Sequence, residues 1–261
     1  MKYQIEATIP TTQYGNIRPS FTVEDNEEEV LSKLESLWNM FGEKKLPRRT
    51  DFGEQLTTFT GEELYYNDDT HKYYDLQGNE LLSGSQYAKQ FAKEFDVETV
   101  SKAVSDKTGE PQEVLKAKWK LSGNVANSFG TAVHDAVEYM LMGGDIEKIP
   151  VVIRDSVARL YEQVVSYGMT AITEVLVSNV AEGHVGRIDC LLVDNIEKPT
   201  KFKIVDYKTN RELKKDKRDV YTKQLEFYRD ILVAHGMECE GLIILHEDGE
   251  EMVEMVLDKS E

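Results

Sequence analysis

The sequence predicts an α/β protein with helices packed on a central sheet, and the spacing of its apolar residues leads to this prediction. Several segments carry apolar residues at helical spacing, whereas residues 171–207 contain three short β-rich runs separated by turn residues. A helix at residues 220–233 and a last strand at residues 241–245 follow. The order helix, three strands, helix, strand is typical of an α/β or α+β core. With 40% hydrophobic residues in 261 positions, the chain can bury a substantial core.

Residues 1–60 are predicted to form a small accessory unit with a linker. Apolar and polar residues alternate through residues 1–24 on both sides of a turn, which indicates a hairpin, and residues 30–41 carry apolar residues at helical spacing. Residues 42–61 are rich in turn residues and bases, so we expect them to be a linker. The prediction is a β-β-α unit, which is too small to be very stable alone.

Residues 61–261 are predicted to form the main domain. A second hairpin is expected at residues 64–67 and 72–76, followed by mainly helical structure at residues 83–121 that is broken near Gly109 and Pro111. Further helices are expected at residues 131–142, which Gly143 and Gly144 end, and at residues 151–167. The three β-rich runs are residues 172–177, 186–193 and 203–207.

Composition excludes several classes of protein. A formal net charge of -17 argues against a histone-like or tail-driven nucleic-acid binder. Two cysteines supply neither a disulfide framework nor a four-thiolate metal site, so a metal would have to bind oxygen and imidazole ligands, as Mg²⁺ or Mn²⁺ does. The apolar runs are far shorter than the roughly 20 residues that cross a bilayer, and no signal-peptide core is present at residues 1–10. We therefore expect a cytoplasmic protein without a membrane partner.

Two carboxylates and a lysine are candidates for a chemical site. Asp206 and Lys208 are two residues apart in a β-rich run, so their side chains should lie on the same side of a strand. About six such acid-x-base triples arise by chance in this composition, so a surface ion pair is the alternative. A hairpin between the neighbouring runs would bring Asp189 beside Asp206. Two adjacent carboxylates repel each other unless a cation separates them, so the pair is either metal-binding or protonated.

Five short motifs occur in a fixed order over about 100 residues, and together they resemble a known family. They are Gly130-Thr-Ala-Val-His134-Asp-Ala-Val-Glu138, Glu174, Gly186-Arg-Ile-Asp189, Asp206-Tyr-Lys208-Thr209 and Gln224-Leu-Glu-Phe-Tyr228. The chain resembles the PD-(D/E)xK nuclease superfamily over residues 65–245, and specifically its RecB-like branch of phage-type DNA exonucleases. The resemblance implies a restriction-endonuclease-like core, a mixed central sheet flanked by helices. Ile188 stands in place of a proline, and the cysteine cluster of the iron–sulfur relatives is absent, so no iron–sulfur cluster is expected.

The resemblance implies a role for each residue of the site. One or two Mg²⁺ or Mn²⁺ ions would be held by Asp189, Asp206, the backbone carbonyl of Tyr207 and His134. The ion would polarise the phosphate and acidify a bound water. Lys208 would orient or help deprotonate that water and offset charge in the transition state. Glu174 would be a further metal or outer-shell ligand, and a surface glutamate is the alternative.

Other residues are expected to place the nucleic acid. Gln224 and Tyr228 share one helix face, and by resemblance the pair lines the site, although a helix packed through Tyr228 with Gln224 at its rim is the alternative. Residues 198–223 contain ten basic and four acidic residues, a local net charge of +6. Within this positive band, residues 210–219 are expected to form a loop that follows phosphates, and a solvated lysine-rich loop is the alternative. The expected nucleic-acid contacts are Arg187, Thr209, Arg211, Lys214, Lys215, Gln224 and Tyr228.

The hypothesis for function is a metal-dependent deoxyribonuclease. An exonuclease in phage or bacterial DNA recombination, replication or repair is favoured over an endonuclease, with DNA as substrate and a single-strand annealing or replication protein as a candidate partner. Two alternatives stay open. One is a catalytically silent nuclease-fold module that binds DNA, and the other is an acidic protein that mimics DNA.

Overall fold

A computed structural model describes strands at residues 2–6, 9–10, 16–17 and 20–24, and the chain at residues 52–93 and 95–257. The chain divides into two compact units, Met1–Gln55 and Leu56–Glu261. This division lies near residue 60, where the sequence predicts the end of the accessory unit and its linker. The roles expected for the two units remain predictions.

Short antiparallel strands make up the described part of the first unit. β1 (Lys2–Glu6) pairs with β4 (Ser20–Glu24), and β2 (Ile9–Pro10) pairs with β3 (Asn16–Ile17). This nested pairing agrees with the hairpin predicted for residues 1–24. The helix predicted at residues 30–41 lies outside the described residues, as does the first part of the predicted linker.

From residue 54 onward the chain alternates between strands and helices. The strands are β5 (Glu54–Thr57), β6 (Glu63–Asn67), β7 (Lys72–Tyr74), β8 (Glu80–Ser83), β9 (Thr170–Asn179), β10 (His184–Val193), β11 (Lys201–Lys208), β12 (Glu238–Glu247) and β13 (Met252–Leu257). The helices are α1 (Gly84–Lys89), α2 (Val97–Thr108), α3 (Gln112–Leu141), α4 (Val151–Ser166) and α5 (Lys215–Ala234). Within the described ranges, no helix combines the length and the apolar character needed to cross a membrane.

These strands form one mixed sheet, which has nine strands in the described residues. The order is β13-β12-β11-β10-β8-β7-β6-β5, and β9 pairs with β10 beside this path. β11 and β12 are parallel and are connected through α5, whereas β10 is antiparallel to both β9 and β11. The predicted α/β class is therefore confirmed.

One edge of β10 is shared by two strands that approach it from opposite ends. β9 pairs with β10 from His184 to Val193, with a break at Asp189, and so occupies the other edge. β8 pairs only at His184 and Val185, and β11 pairs only from Cys190 to Val193. The segment 186–189 therefore lies in a gap between the ends of β8 and β11. Crevices at the carboxyl ends of diverging strands are common positions for ligand sites in α/β proteins.

Helices cover both faces of the central strands. Leu225 and Ile231 of α5 pack with Ile204 on one face, and Val137 of α3 packs with Val205 on the other face, together with α4. The central strands are therefore apolar on both faces, which is typical of a sheet covered by helices on each side. Each large aliphatic side chain that is fully buried contributes about 1.5–3 kcal/mol. This packing gives β10 and β11 a rigid position.

An ion pair between a buried carboxylate and a partly exposed arginine connects α4 to the end of β12. The Glu247 side chain is fully buried, and its carboxylate accepts two hydrogen bonds from the Arg159 guanidinium, at 2.7 and 2.9 Å. Ser156 Oγ and the backbone N–H of Gly249 donate to the same carboxylate, at 3.1 and 2.8 Å. Burial opposes ionisation, but these donors outweigh it and lower the pKa of Glu247. The carboxylate is therefore charged and fully hydrogen-bonded in the interior.

Several predicted boundaries are wrong. Residues 83–121 and 131–142 were expected to be separate helical segments, but α3 runs without interruption from Gln112 to Leu141. A glycine inside a helix costs only about 1 kcal/mol, which is less than ending one helix and nucleating another. The loop predicted at residues 210–219 is also too long, because α5 begins at Lys215. The sequence predicts no strand at the positions of β8 and β13, and β5 lies within residues 42–61, which are predicted to be a linker.

Candidate active site

Asp206 and Lys208 lie together at the end of β11. The Lys208 ammonium is 2.6 Å from Asp206 Oδ2, and the two side chains are only 17% and 7% exposed. The predicted position on one side of the strand is therefore observed, and the alternative of a solvated surface pair does not fit this burial. Lys208 Nζ also lies 4.6 Å from the centre of the Tyr221 ring of α5. An aromatic ring and a carboxylate thus hold the ammonium in place.

Asp189 is held next to this pair by the backbone of β11. Its Oδ2 accepts a hydrogen bond from the backbone N–H of Tyr207, at 3.1 Å, so the carboxylate lies against the chain between Asp206 and Lys208. His134 Nδ1 of α3 lies 3.6 Å from the same oxygen. Helix α3 and the sheet therefore bring His134 and Asp189 together on the side of β11 where Asp206 lies. The role predicted for the Tyr207 carbonyl stays a prediction.

Burial and neighbouring charges together determine the ionisation of this cluster. Burial raises the pKa of Asp206 to about 6, the Lys208 ammonium opposes that rise, and the charge of Asp189 adds to it. Burial lowers the pKa of Lys208, but the charges of Asp206 and Asp189 outweigh it and leave the pKa raised. Lys208 is therefore a cation at neutral pH. Its charge compensates the two carboxylates.

Glu174 lies across from Asp189 in a distorted part of the sheet. The pairs Ile188↔Val175 and Cys190↔Thr173 flank this position, so Glu174 is the residue opposite Asp189. Its φ of 50° lies in the left-handed region, where a side chain other than glycine costs of order 1–3 kcal/mol. Its carboxylate is 3.7 Å from Arg187 Nη1. Strain of this kind is typical of functional sites, which favours the predicted functional role over a surface glutamate.

The residues present fit a divalent metal ion, although they do not form a finished metal site. Asp206 Oδ2 is buried beside the Lys208 ammonium, and the charge of Asp189 acts on the same carboxylate. Two carboxylates and an imidazole are suitable ligands for Mg²⁺ or Mn²⁺. Among residues 52–93 and 95–257, however, no three His, Cys, Asp or Glu side chains converge closely enough to hold an ion. The donor set is present, and binding would require the side chains to move closer together.

Gln224 and Tyr228 form a separate group on α5 beside the gap in the sheet. Gln224 Nε2 donates a hydrogen bond to Tyr228 Oη, at 2.8 Å. Tyr228 is buried in the core, as the alternative interpretation expected, but its ring also lies against Gly84 and Gly186. A Cβ at either glycine would overlap the ring. Both glycines are therefore required for the position of Tyr228.

We expect Gly186→Ala to destabilise the protein by about 1–3 kcal/mol, because the new methyl group forces the Tyr228 ring to move in a packed interior. Urea unfolding followed by circular dichroism measures the change. The matched control is Gly241→Ala, where the new Cβ would meet only Lys203 carbons at ordinary contact distances of 3.8 and 3.9 Å. A Gly186→Ala variant as stable as the Gly241→Ala variant contradicts the prediction.

The predicted nucleic-acid contacts fall into two groups. Arg187 lies in the gap segment, and Thr209 follows Lys208 and packs close to Gly130 of α3. Arg211, Lys214 and Lys215 are exposed beyond the end of β11. The structure brings none of these three into an ion pair with the buried carboxylates, and Lys214 lies 3.8 Å from Glu212.

The positive band predicted at residues 198–223 does not surround the site as a whole. Lys201 begins β11 and Lys208 ends it, so the first bases of the band lie at the opposite end of the strand. At about 3.3 Å per residue the two ends are roughly 23 Å apart. Lys208 lies beside Asp206, and the bases that come after it in the chain follow from that end of the strand.

Two residues of the site, Tyr221 and Gly84, are not among those predicted from the sequence. Tyr221 contacts Lys208 and precedes Gln224 and Tyr228 by three and seven residues, which is the spacing of one helix face, so the sequence contains a signal for it. Gly84 follows Ser83, the residue that caps α1 with its side chain. Its close approach to Tyr228 depends on tertiary packing, and no local pattern indicates it.

We expect ionisation of Glu174 to oppose folding. Burial raises the pKa of Glu174 from its ordinary value of 4.5 to about 7, and the charge of Asp189 adds to this rise. Because the folded pKa lies above the unfolded one, stability present below pH 4.5 is lost as the pH rises to 7. Glu174→Gln should remove this loss of stability. The loss is expected to be roughly 1 kcal/mol or less, because the side chain is 40% exposed and water screens its charge. Urea unfolding at pH 5 and pH 8 measures it, and equal pH dependence in both proteins counts against the prediction.

Similarity to known proteins is found in the second half of the chain. No curated protein matches the chain. A family model described as the PD-(D/E)XK nuclease superfamily matches residues 147–259. The matched segment contains Glu174, Asp189, Asp206, Lys208 and the pair Gln224 and Tyr228, whereas His134 lies before it. The mixed sheet with its flanking helices is consistent with a restriction-endonuclease-like fold. Over residues 147–259 the chain is therefore similar to the PD-(D/E)XK nucleases, and this similarity indicates a nuclease.

Proposed function

We propose that the protein is a metal-dependent deoxyribonuclease that hydrolyses phosphodiester bonds, most specifically an exonuclease. One observation carries the proposal: Asp189, Asp206 and Lys208 meet where the end of β11 lies beside the middle of β10, within the segment that is similar to PD-(D/E)XK nucleases. A buried ion pair with a second carboxylate beside it is costly for stability alone. Chemistry at a phosphate accounts for all three groups.

Asp189 and Asp206 are the residues proposed to hold Mg²⁺ or Mn²⁺, with His134, Glu174 and the Tyr207 carbonyl as further ligands. The charge of Asp189 beside the buried Asp206 carboxylate supports this assignment, because two neighbouring carboxylates favour a cation between them. A bound divalent ion supplies Lewis acidity at the phosphate and lowers the pKa of a bound water.

Lys208 is proposed to act as a fixed cation. Its raised pKa keeps the ammonium charged at neutral pH, so it can orient a water molecule and offset negative charge on phosphorus in the transition state. The same charge makes Lys208 a poor base. The hydrogen bond from the Tyr207 N–H fixes the Asp189 carboxylate, and contact with the Tyr221 ring limits the motion of Lys208.

The bases after β11 are proposed to bind the DNA backbone. Lys214, Lys215, Lys217 and Arg218 lie at the start of α5, and all are exposed. Cations at a helix N-terminus interact unfavourably with the helix dipole, so the stability of α5 does not explain them. Contacts with DNA phosphates explain these cations, and such contacts would make the affinity for DNA fall as salt is added.

Resemblance to the RecB-like branch supports the more specific parts of the proposal. These are exonuclease activity in the cytoplasm of a bacterium or a phage-infected host, and a role in DNA recombination, replication or repair. Residues 61–261 would form the nuclease domain. The accessory unit at residues 1–60 would guide a strand or bind a partner such as a single-strand annealing or replication protein.

Digestion of end-labelled linear duplex, circular duplex and single-stranded DNA tests the function. With Mg²⁺ or Mn²⁺ we expect loss of linear DNA from its ends, intact circles, and no digestion when EDTA is present. Cleavage of circular duplex would instead identify an endonuclease. Failure to digest any of these DNAs with either metal would falsify the assignment as a nuclease.

A catalytically silent module that binds DNA is the second candidate. It is favoured by the finding that no three potential ligands converge on one point in the described residues. Binding of Mg²⁺ or Mn²⁺, measured by calorimetry on the wild type and on Asp206→Asn, separates the two candidates. The module predicts equally weak binding by both proteins, whereas the nuclease predicts binding that the variant loses.

A further inference from the structure

A cavity of about 290 Å³ lies beside the gap in the sheet, between the β6–β7 hairpin and α5. We propose that it binds one unpaired nucleobase of DNA next to the scissile phosphate. The proposal rests on the proposed function for its substrate and adds the state of the DNA that the site accepts. The side chains that line the cavity include Tyr66, Tyr73, Ser83, Arg187, Gln224 and Tyr228.

One wall of the cavity is aromatic. Tyr66 and Tyr73 face each other across the β6–β7 ladder, and their ring centres are 4.7 Å apart at an interplanar angle of 35°. Tyr66 Oη is hydrogen-bonded to Nδ1 of His71 at 2.9 Å, which holds the Tyr66 ring in place. A fixed pair of tyrosines is a platform on which a base can stack, and stacking of this kind tolerates any base.

The opposite wall is polar. Arg187 is mostly buried, at 23% exposed, and its guanidinium is balanced by Glu174. Gln224 and Tyr228 add an amide and a hydroxyl group that are joined by a 2.8 Å hydrogen bond. Aromatic faces beside hydrogen-bonding edges match the chemistry of a nucleobase. A phosphate alone would use the arginine but would leave the two tyrosines without a role.

The size and position of the cavity restrict its occupant. A volume of about 290 Å³ is at the small end of the range for small-molecule sites, which begins at roughly 300 Å³, so it suits one ring system. A paired base cannot enter such a space without leaving its stack. Arg187 precedes Asp189 by two residues, or roughly 7 Å along the strand. The base therefore belongs to a nucleotide adjacent to the carboxylates.

Binding measurements without metal test the proposal. The full-length protein is titrated in EDTA with a fluorescent single-stranded oligodeoxythymidine and with an abasic oligomer of equal length and charge. We expect about tenfold tighter binding of the base-bearing strand by the wild type, and nearly equal binding of the two strands by Tyr66→Ala. Tyr73→Leu should act in the same way and serves as the second variant if Tyr66→Ala does not fold.

The matched control is Tyr74→Ala. Tyr74 is next to Tyr73 but on the other face of the hairpin, and it does not line the cavity. This variant should keep the preference of the wild type. An equal affinity of the wild type for both strands overturns the proposal, and so does an unchanged preference in folded Tyr66→Ala or Tyr73→Leu.

The outcome is separable from that of the proposed function. If the wild type digests DNA but Tyr66→Ala retains the base preference, the nucleobase site is wrong and the nuclease stands. If no DNA is digested but the preference exists and depends on Tyr66, the cavity is a base-binding site and the hydrolytic function is wrong.

Discussion

Lys208→Ala is expected to lower the rate of DNA cleavage by about 10²–10³-fold, with little change in DNA affinity. The variant removes the cation that lies 2.6 Å from Asp206 and is proposed to face the reacting phosphate. A second effect follows, because the ammonium now opposes the rise in the pKa of Asp206. Without Lys208, that pKa should lie further above 6, so residual activity should begin at a higher pH. Cleavage rates between pH 5 and pH 9 measure both effects.

Lys201→Ala is the matched control for this experiment. Lys201 lies on the same strand, but at its other end, and it pairs with Glu240 at the surface. The cleavage rate of Lys201→Ala should stay within a factor of about two of the wild-type rate, since exposed ion pairs contribute little to stability. Circular dichroism checks that both variants are folded. A Lys208→Ala protein that cleaves at the rate of the Lys201→Ala protein would remove the catalytic role of Lys208.

Arg159→Ala should reduce the free energy of unfolding by about 3–5 kcal/mol at pH 7, because it leaves the Glu247 carboxylate buried without its main partner. In the wild type the pKa of Glu247 is lowered, so the ion pair contributes stability at pH values above 4.5, the ordinary pKa of a glutamate. That contribution is lost as the pH falls through the lower folded value. The difference between wild type and variant should therefore shrink in acid. Urea unfolding at pH 7 and at pH 4 measures it.

Two further variants show whether the buried charge is the cause. Arg159→Ala combined with Glu247→Gln removes the charge and should recover part of the lost stability. Lys72→Ala breaks an exposed pair with Glu80 and should cost much less stability than Arg159→Ala. No recovery in the double variant, or an equal loss in Lys72→Ala, would contradict the explanation.

The predictable parts of the site follow local rules. Alternation along a strand places Asp206 beside Lys208, and the turn between two β-rich runs brings Asp189 to the same place. Both regularities extend over a few residues and can be recognised in one sequence. The α/β class follows for the same reason, because the order of periodic segments determines which elements neighbour each other.

The remaining features depend on contacts between distant segments. β8 is a four-residue strand whose short parallel pairing with β10 no pattern within residues 80–83 indicates. The continuity of α3 reflects the balance between propagation and nucleation of a helix, which composition alone does not decide. The left-handed backbone of Glu174 and the fit of Tyr228 between two glycines are also results of tertiary packing.

The short pairing of β8 with β10 leaves much of the attachment of the hairpin side of the sheet to side chains. In the described residues, the ladder between β8 and β10 consists of two residue pairs, and the Leu82 N–H donates to the Gly183 carbonyl at 2.7 Å. Leu64, Leu81 and Val185 are buried together across this junction. The Glu62 carboxylate also accepts a hydrogen bond from the Ser178 hydroxyl of β9, at 2.6 Å. A change in these side chains would therefore move the hairpin wall of the cavity, while helices on both faces keep the strands that carry the carboxylates in place.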